Sequence, residues 1–289
     1  MDNIGGILLA GGLGTRLIPN TTSINKHLLP VYDKPMIYYS LSLLFLSGIR
    51  DITLVCNEQD LNGFNKLLKN GEQFGANIKY SIQDNPNGIP DAINTALADN
   101  SFSRNLVVLG DNFIYGREFF NDFKKNISKN EKILLFSQFV KDPSKFGVIK
   151  SKSNGEIQDI VEKPKEFLSN EVLIGMYLFD KSFSEHFKNI KISKRGEFEI
   201  VDIVKDYGLP NLTVKKIGRG AAWFDMGSFD SFYNCSSFVK TIQDRLGLLV
   251  CSPHEIAFNN GWISKSNLDK FIKQNSNSEY FEKLSYLLK

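Results

Sequence analysis

Apolar residues in the first half of the chain form short continuous runs that alternate with helical patterns. The runs lie at residues 7–10, 52–56, 78–83 and 106–109. Continuous runs of this length are typical of strands that are covered on both faces. Apolar side chains at helical spacing occupy residues 36–46, 61–68 and 91–98, and Gly48 follows the first of these segments in a C-cap position. This βαβα order predicts a doubly wound α/β fold with a mainly parallel, mixed sheet.

The second half of the chain is less regular. Strand patterns occupy residues 133–139, 147–149, 157–162 and 172–179. Ser182, with Glu185 three residues later, predicts a capping box at the start of a short helix. Helical segments follow near residues 266–273 and 280–288. Because no linker or repeat interrupts the chain before about residue 240, we expect one main domain over residues 1–240 and a C-terminal helical tail over 241–289.

Composition excludes several classes of protein. The chain has 289 residues, with 35 Lys and Arg against 32 Asp and Glu, and the small basic excess is scattered rather than clustered as in a nucleic-acid binder. No stretch approaches the roughly 20 apolar residues of a membrane span, and the N-terminus lacks the basic region of a signal peptide. Cys56, Cys235 and Cys251 have no metal-binding or disulfide spacing. We therefore expect a cytoplasmic protein that binds neither nucleic acid nor membranes.

A glycine-rich segment after the first strand is the strongest local signal of function. Three glycines, Gly11, Gly12 and Gly14, are followed by Arg16 and, ten residues later, by Lys26. Glycines let the backbone approach a ligand and turn several N–H groups toward an anion. The segment lacks the Gly-Lys of a P-loop and the third small residue of a dinucleotide fingerprint. A tight turn that merely needs glycines would not explain the two cations at close range.

Further motifs continue this segment along almost the whole chain. They are KHLLPVYDKPMIYY over residues 26–39, GDN over 110–112, EKP over 162–164, RGEFEIVD over 195–202 and GRGAAWFDMG over 218–227. In order and spacing the chain resembles the sugar-phosphate nucleotidylyltransferase family, and within it the long glucose-1-phosphate thymidylyltransferases. The resemblance implies a Rossmann-like nucleotidyltransferase fold, with nucleotide-binding and sugar-binding halves in residues 1–240.

The reaction implied by this resemblance transfers dTMP from dTTP to a hexose 1-phosphate and releases pyrophosphate. Such a transfer depends on positioning and charge neutralisation. The family positions assign catalytic roles to Arg16, Lys26 and Lys163. They assign nucleotide binding to Leu9, Gly11, Gly12, Gly14, Thr15, His27, Gln83, Gly88 and Asp111. They assign sugar binding to Asn112, Gly147, Glu162, Gly175, Tyr177 and Glu197, and a Mg²⁺ site to Asp111 and Asp225.

Some positions depart from the family pattern. His27 and Asp91 stand where the thymidylyltransferases have glutamines, which leaves uracil and cytosine open as alternatives to thymine. Phe146 and Ile174 replace a tyrosine and a threonine near the sugar. Because two hydroxyls are lost, the acceptor is either glucose 1-phosphate or a modified hexose such as a deoxy sugar.

The tail resembles the segment that builds a second nucleotide-sugar site, used for feedback inhibition, in homotetrameric relatives. The positions of this chain that match that second site are Gly116, Gly218, Arg219, Gly220, Ser252, Glu255 and Ile256. Two other interpretations stay open: the same reaction with UTP or CTP, and an inactive nucleotide-sugar binding or regulatory protein. A related glycosyltransferase would need an Asp-x-Asp motif, which the sequence lacks.

Overall fold

The computed structural model describes residues 4–98, 100–127 and 132–288. Its strands are β1 (Ile4–Leu9), β2 (Pro30–Val31), β3 (Lys34–Pro35), β4 (Asp51–Cys56), β5 (Asn77–Ile82), β6 (Arg104–Leu109), β7 (Asn112–Tyr115), β8 (Ile133–Phe139), β9 (Gly147–Ser151), β10 (Ile157–Glu162), β11 (Glu171–Asp180), β12 (Thr213–Lys216) and β13 (Ala222–Asp225). Its α-helices are α1 (Met36–Leu46), α2 (Leu61–Leu68), α3 (Ile89–Leu97), α4 (Arg117–Asn126), α5 (Phe183–Phe187), α6 (Ile200–Asp206), α7 (Phe229–Leu246), α8 (Pro253–Asn259), α9 (Lys265–Gln274) and α10 (Glu279–Ser285). Short 3₁₀ turns connect several of them.

A nine-stranded mixed sheet forms the centre of the fold. Strands β5, β4, β1 and β6 lie side by side and parallel, as the βαβα pattern predicts. Strand β11 continues the sheet antiparallel to β6 and pairs with β8 and β9, while β10 pairs with β9 and β12 with β8. The predicted α/β fold with a mixed sheet is therefore confirmed.

The register of the parallel strands brings their carboxyl ends to one edge. Leu9, at the end of β1, is opposite Val55 on one side and Leu109 on the other. The N–H of Gly110 donates to the carbonyl of Leu9 at 2.8 Å. Ligands of open α/β sheets bind at this edge, and both the glycine segment and the GDN motif begin there.

Each face of the sheet buries its own hydrophobic cluster. Leu8 and Val108 point to the side of α1, and Ile7 and Val107 point to the side of α3 and α6. Helix α1 has the predicted bounds, but its side chains from Met36 to Phe45 are all buried. The reason is that α8 of the tail covers the side of α1 that turns away from the sheet.

Two local features differ from the sequence prediction. Ser182 precedes α5 as predicted, but there is no capping box: its hydroxyl donates to the Asp180 carboxylate at the end of β11 instead of capping the helix. Helix α7 was not predicted from sequence, and it starts with a capping box between Ser228 and Ser231. Gly48 follows α1 with φ 84°, which fits its predicted role.

The three cysteines are free thiols, and burial raises the pKa of each to about 12. Such thiols are unreactive near neutral pH.

Within the described ranges, no helix combines the length and apolar content that crossing a bilayer requires.

Candidate active site

A cleft of about 490 Å³ opens at the carboxyl edge of the parallel strands. All of the residues predicted to bind nucleotide, sugar or metal line this one cleft. They are Leu9, Gly11, Gly12, Gly14, Thr15, Arg16, Lys26, His27, Gln83, Gly88, Asp111, Asn112, Gly147, Glu162, Lys163, Gly175, Tyr177, Glu197 and Asp225. Residues more than 200 positions apart, such as Leu9 and Asp225, therefore line the same cleft, because the sheet brings its strand ends together.

The glycine segment forms one rim of the cleft. Gly12 is exposed, and a side chain there would meet the Lys26 methylene chain at 3.4 Å. Gly14 has φ 65°, and its carbonyl accepts a hydrogen bond from the Thr21 hydroxyl at 2.9 Å. Arg16 follows in a 3₁₀ turn and is exposed. The rim therefore leaves backbone and cationic groups free to face an anion.

Two carboxylates lie next to these cations. Lys26 Nζ is 2.5 Å from Asp111 Oδ2. Burial opposes ionisation of Asp111, but the Lys26 ammonium and hydrogen bonds from Lys26 and Asn112 outweigh it and hold the pKa below its usual range. For Asp225, burial and then the nearby Asp111 charge raise the pKa to about 6, against the opposing charge of Arg16. The two carboxylates are close enough to repel each other, which is the setting that a cation relieves.

Strand pairing accounts for this placement. Asp225 ends β13 opposite Asn112 of β7, and the N–H of Met226 donates to the Asp111 carbonyl at 2.9 Å. A Cβ at Gly227 would lie 2.5 Å from an Arg16 nitrogen and 2.9 Å from Asp225 Oδ1. Among residues 4–98, 100–127 and 132–288, no three His, Cys, Asp or Glu side chains group as a metal site. The available set is a carboxylate pair, which is the protein contribution that Mg²⁺ commonly has beside phosphate oxygens and water.

His27 is buried beside this cluster. Its Nδ1 is 2.7 Å from Asn25 Oδ1, which also accepts from the His27 N–H. The Asn25 amide nitrogen is turned toward Ala10 O and Asp60, so the imidazole Nδ1 donates. Burial and then the Lys26 charge lower the pKa of His27 to about 3. The ring is therefore neutral, and one of its nitrogens is already engaged by the protein.

The other end of the cleft is rich in charge. Lys163 has φ 44°, and its Nζ is 3.6 Å from Glu162 Oε1. Burial raises the pKa of Glu162, although the Lys163 charge opposes this. Arg195 lies 3.6 Å from Glu162, 3.8 Å from Glu197 and 3.3 Å from Glu199. Arg195 was not assigned a role from sequence, although it opens the RGEFEIVD motif.

An amide–indole network forms the floor between the two ends. Asn112 Oδ1 accepts from the Gly175 N–H at 3.1 Å and from Trp223 Nε1 at 2.6 Å, and Asn112 Nδ2 donates to Asp111 at 3.0 Å. Phe146 contacts the Trp223 ring with centroids 5.3 Å apart. Trp223 was not assigned a role from sequence, although it is one of only two tryptophans in the chain. Tyr177 faces the same space, and burial raises its pKa above the usual range.

The structure corrects one sequence argument about the sugar pocket. Ile174 does not face the cleft, because alternate residues of β11 point to opposite sides of the sheet. Leu173 and Tyr177 line the cleft, whereas Ile174 is fully buried in the cluster around Leu8 and Val108. A hydroxyl at position 174 would not reach a bound sugar, so only Phe146 supports the loss of a sugar contact.

The predicted effector residues lie outside this cleft, in two groups. Gly116 has φ 152°, and a Cβ there would lie 2.8 Å from Ala221 Cβ, next to Gly218, Arg219 and Gly220 in the chain. Ser252 begins α8, where its hydroxyl accepts from the Glu255 N–H at 3.3 Å and contacts Tyr280 Oη at 2.6 Å. Ile256 packs against the core on the α1 side of the sheet.

Lys145 and Leu13 also line the cleft without having been assigned a role from sequence. Lys145 is largely exposed and only 3.8 Å from Asp142. Leu13 lies inside the glycine segment, between Gly12 and Gly14, whereas Lys145 carries no local sequence signal because a single lysine in a loop is common. The position of Lys145 follows from the fold alone.

The chain is similar to known proteins over nearly its whole length. The chain matches the nucleotidyl transferase family over residues 5–242. The glucose-1-phosphate thymidylyltransferase of Neisseria meningitidis serogroup A is 40% identical over 288 residues, which cover 98% of this chain and 99% of that relative. The Mycobacterium tuberculosis protein of the same name is 41% identical over 266 residues, covering 91% of each chain.

Solved structures show the same fold. A Bacillus anthracis protein described as a glucose-1-phosphate thymidylyltransferase, in complex with a sucrose, is 34% identical with a TM-score of 0.72, covering 81% of this chain and 94% of that one. A UDP-glucose pyrophosphorylase complexed with UDP-glucose has a TM-score of 0.71 at 22% identity, covering 84% of this chain and 100% of that one.

Proposed function

This chain belongs to the nucleotidyl transferase family, and we propose that it transfers dTMP from dTTP to a hexose 1-phosphate. In this reaction a phosphate oxygen of the sugar attacks the α-phosphorus of dTTP. One P–O bond forms, the bond from the α-phosphorus to the oxygen bridging to the β-phosphate breaks, and pyrophosphate leaves with the electron pair. The products are a dTDP-sugar and pyrophosphate. The observation that supports the proposal is that one cleft contains both the glycine rim with Arg16 and, at its other end, the charged group around Lys163 and Glu162.

The rim suits the triphosphate. Backbone N–H groups of Gly11 to Gly14 can contact phosphate oxygens without a side chain between them. Arg16 and Lys26 supply positive charge on the same side. In the transition state negative charge spreads over the transferred phosphoryl group and the leaving pyrophosphate, and fixed cations stabilise that distribution.

We propose that Asp111 and Asp225 hold a Mg²⁺ ion. The fit rests on the donor set: β7 and β13 bring the two carboxylates together, with Asp225 opposite Asn112 and the Met226 N–H donating to the Asp111 carbonyl. When bound, the ion supplies positive charge to the triphosphate oxygens. In the protein without metal, the Lys26 ammonium keeps Asp111 ionised. The side-chain amide of Asn112 orients the Asp111 carboxylate by donating a hydrogen bond to it.

The opposite end suits the acceptor. Lys163 can contact the sugar phosphate and so bring two anions together that otherwise repel. Polar groups that can contact sugar hydroxyls are Asn112, Glu162, Tyr177 and Glu197, with Gly147 and Gly175 leaving space between them. Arg195 lies among Glu162, Glu197 and Glu199, so it neutralises this acidic group.

Assembly and regulation are a separate part of the proposal. We propose a homotetramer in which the segments around Gly116, Arg219 and Ser252 bind a dTDP-sugar as feedback inhibitor. The two-part division at residue 240 and the cytoplasmic location stay predictions as well. Inhibition by dTDP-glucose that is purely competitive with dTTP, and unchanged by Arg219→Ala, would contradict the effector site.

The test of the main proposal is pyrophosphate release by the purified chain with Mg²⁺. Each of dTTP, UTP, CTP, ATP and GTP is paired with glucose 1-phosphate and with deoxy and amino analogues. We expect turnover with dTTP. A preference for UTP or CTP would reassign the base, and no turnover in any pairing would favour the nucleotide-sugar binding protein.

A further inference from the structure

The side-chain amide of Gln83 is held in one orientation at the nucleotide end of the cleft. Gln83 follows β5, and its backbone N–H donates to the Cys56 carbonyl at 3.0 Å. Its Nε2 donates to Asp91 Oδ2 at 2.8 Å and lies 3.4 Å from the Gly88 carbonyl. The residue is only 5% exposed. Both backbone and side chain are therefore anchored by the protein.

The chemistry of the two partners sets which way the amide points. A carboxylate oxygen and a backbone carbonyl oxygen both accept hydrogen bonds, so the side of the amide that faces them must be the NH₂ group. The amide oxygen is consequently turned the other way. It lies 3.1 Å from the Cβ position of Gly11, on the glycine rim.

The oxygen is left available to a ligand. Among the described residues, no group donates a hydrogen bond to Gln83 Oε1. Two other side-chain atoms in the described ranges are fully buried without a partner, and Gln83 Oε1 is not among them, so this oxygen keeps some exposed surface. Since Gln83 lines the cleft, the Oε1 acceptor is accessible from it. A side chain with its donor engaged and its acceptor free presents a single hydrogen-bonding polarity to the base.

We infer that Asp91 is a positioning residue for base selection, which turns Gln83 Oε1 toward the cleft so that the site takes a pyrimidine with N–H at position 3. Thymine and uracil carry that hydrogen, whereas N3 of cytosine is itself an acceptor at neutral pH and would face Oε1 without a hydrogen between them. Two acceptors in contact leave both unsatisfied, which is the kind of mismatch that polar sites reject strongly. The inference rests on the proposed function for its ligand class, a pyrimidine nucleoside triphosphate.

Equilibrium binding tests the inference without turnover. We would titrate the full chain with dUTP and with dCTP in the presence of Mg²⁺ and in the absence of any sugar phosphate. These two probes share the triphosphate and deoxyribose and differ only at the base edge. We expect dUTP to bind on the order of 10- to 100-fold more tightly than dCTP.

The decisive variant is Asp91→Asn. An asparagine can donate as well as accept, so it allows Gln83 to rotate and present Nε2 to the cleft. We expect the dUTP to dCTP preference to fall to about threefold or less, with dUTP binding weakened and dCTP binding strengthened. Asp91→Ala should also reduce the preference, because only the 3.4 Å contact with the Gly88 carbonyl then holds Nε2. Asp84→Asn is the matched control: this exposed aspartate lies outside the cleft in the same loop and should leave the preference unchanged.

A merely structural role would give a different result. If Asp91 only supports the start of α3, both substitutions would weaken the two nucleotides equally and leave their ratio intact, which would overturn the inference. Equal binding of dUTP and dCTP by the unaltered chain would overturn it too. Failure of the proposed function is distinguishable, because it appears as absent pyrophosphate release while the binding preference and its loss in Asp91→Asn persist.

Discussion

Two lysine–aspartate pairs in this chain have the same length and opposite surroundings. Lys26 and Asp111 are 2.5 Å apart in the cleft, and each side chain is 12% exposed. Lys34 and Asp33 are also 2.5 Å apart, in the hairpin of β2 and β3, with Lys34 only 1% exposed. The first pair borders open space that a ligand can enter, and the second is enclosed by the rest of the molecule.

The enclosed pair is satisfied by its neighbours. Gln243 of α7 donates to Asp33 at 2.8 Å, and its oxygen lies 3.4 Å from Lys34. The Lys34 ammonium also lies 4.6 Å from the centre of the Tyr39 ring and 5.9 Å from that of Tyr280. Burial lowers the pKa of Lys34, and the Asp33 charge opposes this change. The pair ties the hairpin to α7 and to the tail.

The distance within an ion pair therefore does not tell whether the pair serves catalysis or stability. The two pairs differ in the groups that surround them. The cleft pair adjoins a second carboxylate, Asp225, whose pKa is raised by burial and then by the Asp111 charge. The enclosed pair has an amide and aromatic rings around it. We therefore expect substitutions in the first pair to affect turnover and substitutions in the second to affect folding.

The largest effect is expected for Asp111→Asn. The substitution keeps the size of the side chain and removes the charge that would hold the metal. Removing one such stabilising group typically costs on the order of 10²- to 10³-fold in rate, and we expect that loss in kcat/KM for pyrophosphate release with little change in Tm. Asp33→Asn is the matched substitution in the enclosed pair and should stay within about threefold. Near-normal turnover of Asp111→Asn would remove the metal assignment.

Lys34→Met should act on stability instead. It leaves the Asp33 carboxylate in a mostly enclosed place, where the Gln243 amide still donates to it. Breaking a buried ion pair from one side costs about 3 kcal/mol or more, and urea unfolding would measure that decrease in the free energy of unfolding. The control is Lys240→Met, which breaks an exposed pair with Asp244 on α7 and should leave the free energy of unfolding nearly unchanged. Equal stability losses in the two variants would show that the enclosure of Lys34 contributes nothing.

Glu255, whose charge interacts with Lys34 of the enclosed pair, allows a test by pH. Burial raises the pKa of Glu255 from 4.5 to about 7, and Lys34 opposes the shift. Because the folded state binds this proton more tightly than the unfolded state, the glutamate favours folding less as pH rises from 4.5 to 7. Glu255→Gln should therefore match the unaltered chain in urea unfolding at pH 4.5 and exceed it at pH 8. The gain is on the order of 1 kcal/mol, since the side chain is only partly buried.

A gain that is the same at both pH values would contradict the titration of Glu255. It would indicate instead that the glutamine packs better at the start of α8. The Glu282→Gln variant removes one carboxylate from α10 of the tail and serves as the control for the loss of a charge.

The same contrast separates what the sequence could predict from what it could not. Gly11 and Asp111 closely follow the ends of β1 and β6, and the carboxyl ends of parallel strands meet at one edge, so their common cleft follows from pattern. Lys26 lies in a short 3₁₀ turn, and its place in the same cleft follows from the resemblance. Helix α1 was predicted with its bounds because its apolar spacing is local. Its burial on all sides was not predicted, since it depends on α8, more than 200 residues later.

Side-chain partners were the least predictable level. The Lys34 pair depends on Gln243, 209 residues away, and no local signal links them. Ser182 satisfies a capping pattern, yet its hydroxyl is turned toward the Asp180 carboxylate, to which it donates, and it does not cap α5. Ile174 has the right position in the motif but faces the core, because alternate residues of β11 point to opposite sides of the sheet. Hydrogen-bond competition and strand faces are decided by tertiary structure.

The smallest expected effect comes from Phe146→Tyr, which tests the open cleft without changing charge. Phe146 contacts Trp223, whose indole donates to Asn112, so the change adds one hydroxyl beside the amide–indole network. If the sugar lies there, the hydroxyl can hydrogen-bond an oxygen that the phenylalanine leaves unpaired, a gain of about 1 kcal/mol or roughly fivefold. We expect kcat/KM for glucose 1-phosphate to rise about fivefold relative to its 6-deoxy analogue, with Tm unchanged. Ile174→Thr is the control, because that side chain faces the core: it should lower Tm and leave the sugar preference as it was. An unchanged preference in Phe146→Tyr would place the distinguishing hydroxyl away from Trp223.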